Sequence, residues 1–180
     1  HGAEPLSGKN ALTYYMEEGP VGRFFKAKQD YIQDYPVAII GLGVGSMTSY
    51  MAPQQQVDFY ELDPLVPKIA KTYFNYLNDS AADIRIMMGD GRLELAKSST
   101  EYGLVVLDAF SSDAIPTHLL TVEAFETYLS KLRPDGLILA NITNRYLGLY
   151  PVIEALAAEL GLSLARGVST VHDNSRLVFP

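Results

Sequence analysis

The stretch Val37–Met51, "VAIIGLGVGSMTSYM", sets three glycines within five residues directly behind a short apolar run. The apolar run reads as a buried strand. Glycines at 41, 43 and 45 permit positive φ and leave the backbone bare, so that another group can touch it. In an open α/β sheet, a turn of this kind after the first strand lies where ligands bind, with the free N–H groups of the following helix turned toward them. A nucleotide or nucleoside is the expected occupant. The spacing is G-x-G-x-G followed by Ser46, whereas the dinucleotide fingerprint has its third glycine or alanine one position later, which weakens an NAD reading.

Outward from this turn, short β-branched runs alternate with amphipathic ones, the pattern of a parallel sheet covered by helices. Strands are expected at Val37–Ile40, Val57–Glu61, Ile84–Met88, Leu104–Asp108, Leu137–Asn141, Leu162–Ala165 and Arg176–Phe179. Helices are expected in "PLVPKIAKTYFNYL", with apolar residues at Val66, Ile69, Ala70, Tyr73, Phe74 and Leu77, in "TVEAFETYLSKL" capped by Thr121, and in "PVIEALAAEL" closed by Gly161. The segment "GVSTVHDNS" is too short for a crossover, so the last two strands should form an antiparallel hairpin. The expected fold is α/β and Rossmann-like: a mostly parallel seven-stranded sheet with helices on both faces and a C-terminal antiparallel hairpin. Residues 37–180 would form this domain. Residues 1–36, turn-rich and then helical at "VGRFFKAKQDYI", would be an appendage over the site or a sheet edge. "MAPQQQ" reads as a polar turn between helix and strand.

Acids recur at the strand ends. Glu61 follows Gly41 by twenty residues and closes the second strand, where a carboxylate can accept from both ribose hydroxyls, and Asp63 competes for that role. "IRIMMGDGR" puts Asp90 behind the third strand, and "LVVLDAFSSDAIP" puts Asp108 at the tip of the fourth with Asp113 five residues on. In a parallel sheet these tips share one edge, so Gly43, Glu61, Asp90 and Asp108 should meet in one crevice. Taken alone, Asp90 reads more simply as a helix cap.

Composition narrows the classes. The 180 residues are 48% hydrophobic and 19% charged, as in a globular domain, and 21 acids against 14 bases give a formal charge of −7 that opposes nucleic acid and anionic membranes. The chain has no cysteine, which excludes thiolate metal sites and cysteine nucleophiles, and its three scattered histidines have no metal-ligand spacing, so no metal is expected. No apolar run approaches the roughly 20 residues that span a bilayer. His118 reads as a loop or helix-start residue rather than a proton shuttle, His1 and His172 as surface positions, and Ser111 and Ser112 as turn formers.

The set "GLGVGS", "FYELDP", "GDGR" and "LDAFSSDAIP", in this order, resembles the spermidine synthase-like branch of the class I S-adenosylmethionine-dependent methyltransferase fold. The likeness extends over about residues 37–160, takes in "HLLTVEAF" and "NITNRYL", and is fainter in "HGAEPL" and "LTYY". It implies that Gly41, Gly43 and Gly45 line an adenosyl-sulfonium ligand, that Glu61 holds the ribose, that Asp90 with Gly91 meets the adenine edge, and that Asp108 lies at the reacting carbon. The branch has a D-x-x-D-P element where this chain separates Asp108 and Asp113 by two further residues, so either aspartate can be the counterpart. Relatives of the branch are often fused to membrane-spanning segments; a cytoplasmic domain, alone or tethered, is the corresponding expectation.

The chemistry implied is transfer from a sulfonium. In the aminopropyl version, decarboxylated S-adenosylmethionine gives its three-carbon arm to a diamine such as putrescine, with Asp108 as base, helped by Asp113 and by Tyr14 or Tyr15. Glu17, Glu18 and Asp173 would serve the distal ammonium, and Tyr146 would line the acceptor pocket. Two alternatives stand beside it: a methyltransferase using S-adenosylmethionine, with Arg23 or the glycine-loop N–H groups on the donor carboxylate, and a nonenzymatic nucleoside-binding regulatory domain. A small-molecule amine is the expected partner, and a homodimer is compatible with an exposed hairpin edge.

Overall fold

The computed structural model describes residues 15–110, 116–142 and 148–167. The elements run α1 (Pro20–Ile32), β1 (Val37–Ile40), β2 (Gln56–Glu61), α2 (Leu65–Tyr73), α3 (Tyr76–Asp79), β3 (Asp83–Met88), α4 (Gly91–Lys97), β4 (Tyr102–Leu107), α5 (Val122–Ser130), β5 (Leu132–Ala140) and α6 (Tyr150–Glu159). The strands form one sheet in the order β3-β2-β1-β4-β5, every pairing parallel. The order reverses between β1 and β4, which opens a crevice at their carboxyl ends.

Strand alternation divides the core into two layers. Val37 and Ile39 of β1 face one way with Phe59 of β2 and Val106 of β4, and there they meet Phe25 and Ile32 of α1, Ala70 of α2 and Leu77 of α3. Ala38 and Ile40 face the other way with Val105 and Leu107, against Leu95 of α4, Phe125 and Tyr128 of α5 and Ile153 of α6. All four residues of β1 and all six of β4 are buried, as the central strands of a doubly covered sheet must be.

Several expectations need correction. Five strands, not seven, occur among the described residues. Leu162–Ala165 is not a strand, and Arg176–Phe179 lies outside the described residues, so the expected hairpin and the dimer edge built on it gain no support. The segment "RPDG", a turn signal by its residue types, lies within β5, taken up by a register shift in which Leu132 pairs with Tyr102 and Leu137 with Leu104. The helix expected over Pro64–Leu77 is broken at Phe74, whose backbone is extended, and its face differs from the apolar spacing: Ala70 is buried while Ile69 and Tyr73 are exposed. The helix expected after the glycine turn is only a 3-10 segment, Ser46–Tyr50. Gln55 in "MAPQQQ" is buried and donates from Nε2 to the carbonyls of Ile32 (2.7 Å) and Tyr35 (2.9 Å), tying the entry of β2 to the end of α1.

The sheet also buries a charge. Asp58 of β2 stands opposite Arg85 of β3, is 1% exposed, and accepts from Arg85 Nε at 2.7 Å and Nη2 at 2.6 Å. Because the residue between strands β2 and β4 at this level is the small Ala38, the Tyr102 hydroxyl can reach across and donate to Asp58 Oδ2 at 2.6 Å. Removing the carboxylate takes the short acceptor from Tyr102, which keeps Tyr60 and Ser98 as partners, and leaves the half-exposed Arg85 guanidinium to water. Asp58→Ala is expected to lower the unfolding free energy by about 2–3 kcal/mol, and Asp58→Asn by less, read as shifts of the urea midpoint at unchanged slope.

Candidate active site

The carboxyl rim of the sheet is locked by hydrogen bonds that continue the ladder past the strands. Gly89 N–H donates to the Glu61 carbonyl (2.9 Å), Gly41 N–H to that of Tyr60 (2.9 Å), Asp108 N–H to that of Ile40 (2.8 Å) and Asn141 N–H to that of Leu107 (2.9 Å). The expected convergence of Gly43, Glu61, Asp90 and Asp108 on one edge is therefore what the topology produces.

The three glycines differ in why they are needed. Gly41, at φ +96°, lies so close to β4 that a Cβ there would come 2.8 Å from the Asp108 carbonyl oxygen. A side chain at 41 would force β1 and β4 apart where the crevice opens. Gly43, at φ +53°, has nothing within 4 Å of its Cβ position, so its backbone is bare toward open space. Gly45, at φ +84°, also makes room for Leu77, whereas Gly91 answers a packing need alone, against Ile40.

Asp108 is part-buried and held from two sides. Tyr15 Oη donates to its carboxylate, 3.1 Å from Oδ1 and 2.9 Å from Oδ2, and Asn141 Nδ2 donates to Oδ1 at 2.8 Å. Burial pushes the Asp108 carboxyl up to about 6, and the bonds from Asn141 and Tyr15 hold it back from rising further. Burial, then the Asp108 charge, raises Tyr15 far above the usual phenol range, so it stays a neutral donor. Tyr50 donates to the Tyr15 carbonyl and stacks on Phe25, with ring centroids 4.7 Å apart. Its hydroxyl is pushed up to about 12, first by burial and then by the charges of Glu17 and Glu18.

Further along the rim, Glu61 accepts from Leu42 N–H at 3.0 Å and from Asp63 N–H at 2.9 Å, so its carboxylate is oriented by the glycine turn itself. Asp63 turns instead to the start of α2, accepting from Leu65 N–H at 2.8 Å, which separates the two competing acids. Asp90 is a helix cap, as the simpler reading had it: Oδ1 accepts from Leu93 N–H at 3.0 Å. Its other oxygen is also engaged, because His118 Nε2 lies 2.9 Å from Oδ2.

Sequence reasoning missed Asn141 as a partner of Asp108. Its only signal was its place just behind β5, the same signal that marks Asp108 behind β4. Of the expected catalytic group, Tyr14 and Asp113 lie outside the described residues, as do Ser111, Ser112, Tyr146, Asp173, His1 and His172. Of the pair Tyr14 and Tyr15, it is Tyr15 whose contact with Asp108 is described. No group of three or more metal-ligating side chains occurs among the described residues, and none of their helices is long and apolar enough to cross a membrane.

The raised Asp108 carboxyl has a consequence for stability. An unfolded aspartate loses its proton near 3.8, the folded one near 6, so the folded state is favoured below the lower value and loses that advantage as pH rises through the upper one. Relative to Asp108→Asn, the wild-type unfolding free energy should fall between about pH 4 and pH 6 by roughly 3 kcal/mol and then level off. Urea titrations at stepped pH check this.

No family model matches the sequence. Over 133 residues the chain is 34% identical to a polyamine aminopropyltransferase of Vibrio vulnificus, a match covering 71% of this chain and 42% of that protein. The chain thus spans less than half the length of that curated relative. Among solved structures, a probable spermidine synthase from Corynebacterium glutamicum superposes with a TM-score of 0.59 at 22% identity, covering 73% of this chain and 48% of that one. An SAH-bound methyltransferase from Podospora anserina superposes with a TM-score of 0.57 at 13% identity, covering 83% and 70%. At these identities the two structures establish the fold, and the sequence match adds the branch. The chain is a spermidine synthase-like member of the class I methyltransferase fold.

Proposed function

We propose that this chain is an aminopropyltransferase-type enzyme that moves the three-carbon arm of decarboxylated S-adenosylmethionine to a diamine such as putrescine. The observation that carries the reading is the carboxylate of Asp108 at the switch point, fixed by Tyr15 and Asn141 beside the bare backbone of Gly43. Strand tips are about 4.8 Å apart, so the path from Asp90 through Glu61 and Gly41 to Asp108 is roughly 14 Å. That length suits an extended adenosyl sulfonium lying along the rim, its base at Asp90, its ribose at Glu61 and its sulfur and reactive arm between Gly43 and Asp108.

In this reading the diamine nitrogen, having given its proton to the Asp108 carboxylate, attacks the arm carbon bonded to sulfur. The new C–N bond forms as the C–S bond breaks, and the electron pair stays on sulfur, leaving neutral methylthioadenosine. Asp108 serves the step by holding the amine in line and taking its proton. Tyr15, kept neutral, orients that carboxylate. Glu17 and Glu18, which the Tyr50 hydroxyl senses, supply negative charge for the distal ammonium. A net charge of −7 favours a polycationic acceptor over nucleic acid. The likeness to an aminopropyltransferase over most of the chain supports the same direction.

Methyl transfer from S-adenosylmethionine is the second reading, and the close superposition on a methyltransferase favours keeping it. Mass spectrometry after incubation with putrescine and either donor separates the two. Spermidine with methylthioadenosine is the expected result; adenosylhomocysteine with a methylated acceptor would replace it by the second reading, and no product from either donor would favour a regulatory domain. For aminopropyl transfer, Asp108→Asn is expected to lower kcat by about 10²–10⁴-fold. The wild-type rate at low substrate should climb with pH as the Asp108 carboxyl ionises near 6, and the variant should lack that limb.

A further inference from the structure

His118 stands in the short 3-10 segment Thr117–Leu119, a stretch with no evident part in sulfonium chemistry. Its side chain is half-exposed, yet Nε2 lies 2.9 Å from Asp90 Oδ2 across nearly thirty residues of sequence. The carboxylate of Asp90 thus has a neighbour at each oxygen, Leu93 N–H donating to Oδ1 and the His118 ring nitrogen in ion-pair contact with Oδ2. A carboxylate offers about four acceptor positions, so two remain, and their direction is fixed by the two already in use. Among the described residues, Leu93 N–H and His118 Nε2 are the partners that this carboxylate meets.

We propose that His118 is a positioning residue for base recognition: its contact with Asp90 Oδ2 aims the remaining acceptor positions of that carboxylate at the exocyclic amine of a 6-aminopurine. This rests on the reading of the rim as a nucleoside site with its base at Asp90. A 6-amino group donates into the fixed carboxylate. A 6-oxo group in the same place sets its own lone pairs against the carboxylate and is rejected. Without His118 the carboxylate keeps its bond to Leu93 N–H but is free to swing about it, so affinity for the amine falls and rejection of the oxo base relaxes.

Titration calorimetry with methylthioadenosine and methylthioinosine tests this on the intact chain. The wild type should bind the first at least tenfold more tightly than the second. His118→Ala should weaken methylthioadenosine by about tenfold and narrow the gap between the two. His118→Gln, whose side-chain amide can donate from nearly the position of Nε2, should restore most of both. Unchanged affinity and unchanged discrimination in His118→Ala, with the wild type still binding methylthioadenosine, would overturn the assignment while leaving the nucleoside reading intact. A loss in His118→Ala that His118→Gln does not recover would overturn it as well, since a packing role predicts that pattern. Failure of the wild type to bind either nucleoside would remove the underlying reading and this inference together.

Discussion

The reversal of strand order between β1 and β4, and the contact of Gly41 with the Asp108 carbonyl that it requires, govern the rest of the molecule. Parallel strands carry their own ladder, but the first residues beyond them normally diverge into loops. Here Gly41 and Asp108 each extend the ladder by one hydrogen bond, to Tyr60 and Ile40 respectively. This is possible because no Cβ stands between them. A carboxylate that would otherwise lie on a loop is thus positioned by the sheet, and Glu61, Gly89 and Asn141 are placed by the same device on the flanking strands.

The electrostatics of the rim follow from that placement. Burial at the switch point raises Asp108, and the bonds from Tyr15 and Asn141 offset only part of the rise. The folded protein therefore holds a carboxyl that ionises at higher pH than a free aspartate and at a cost in stability, a common arrangement where a site gives up stability to bind charge. Glu61 and Asp90 differ in kind. Glu61 accepts from two backbone N–H groups, and Asp90 accepts from Leu93 N–H with His118 beside its other oxygen, so each presents acceptors in set directions without a comparable burial. The rim thus has a rigid, directional end at β2 and β3 and a charge-poised end at β4.

Much of this was legible in the residues. Val37–Ile40 matches β1 residue for residue, and the remaining central strands differ by one or two positions, because continuous β-branched runs have few other uses. The acids at strand ends were readable for the same reason: once strands are parallel, their tips share an edge. The pairing of Thr121 with Ala124 N–H at 3.2 Å follows from the ordinary capping preference of threonine. What failed were features decided by distant partners. The Pro64–Leu77 spacing pointed to one helix and to another face: the backbone is extended at Phe74, and within α2 Ala70 is buried while Ile69 and Tyr73 are exposed. Gln55 looked like a turn residue because nothing nearby in sequence marks the two carbonyls of α1 and its exit that it satisfies. Asn141 and His118 were underread alike, since each acts through an aspartate more than twenty residues away.

On the proposed reading, an adenosyl sulfur compound lies along this rim with its base toward β3 and its sulfur toward β4. A crystal structure of the chain with methylthioadenosine and putrescine decides this. The purine amine is expected at Asp90, the ribose hydroxyls at Glu61, the thioether over Gly43 and an amine nitrogen on Asp108. A nucleoside bound with the opposite polarity, or anywhere away from the carboxyl ends of β1 and β4, would contradict it.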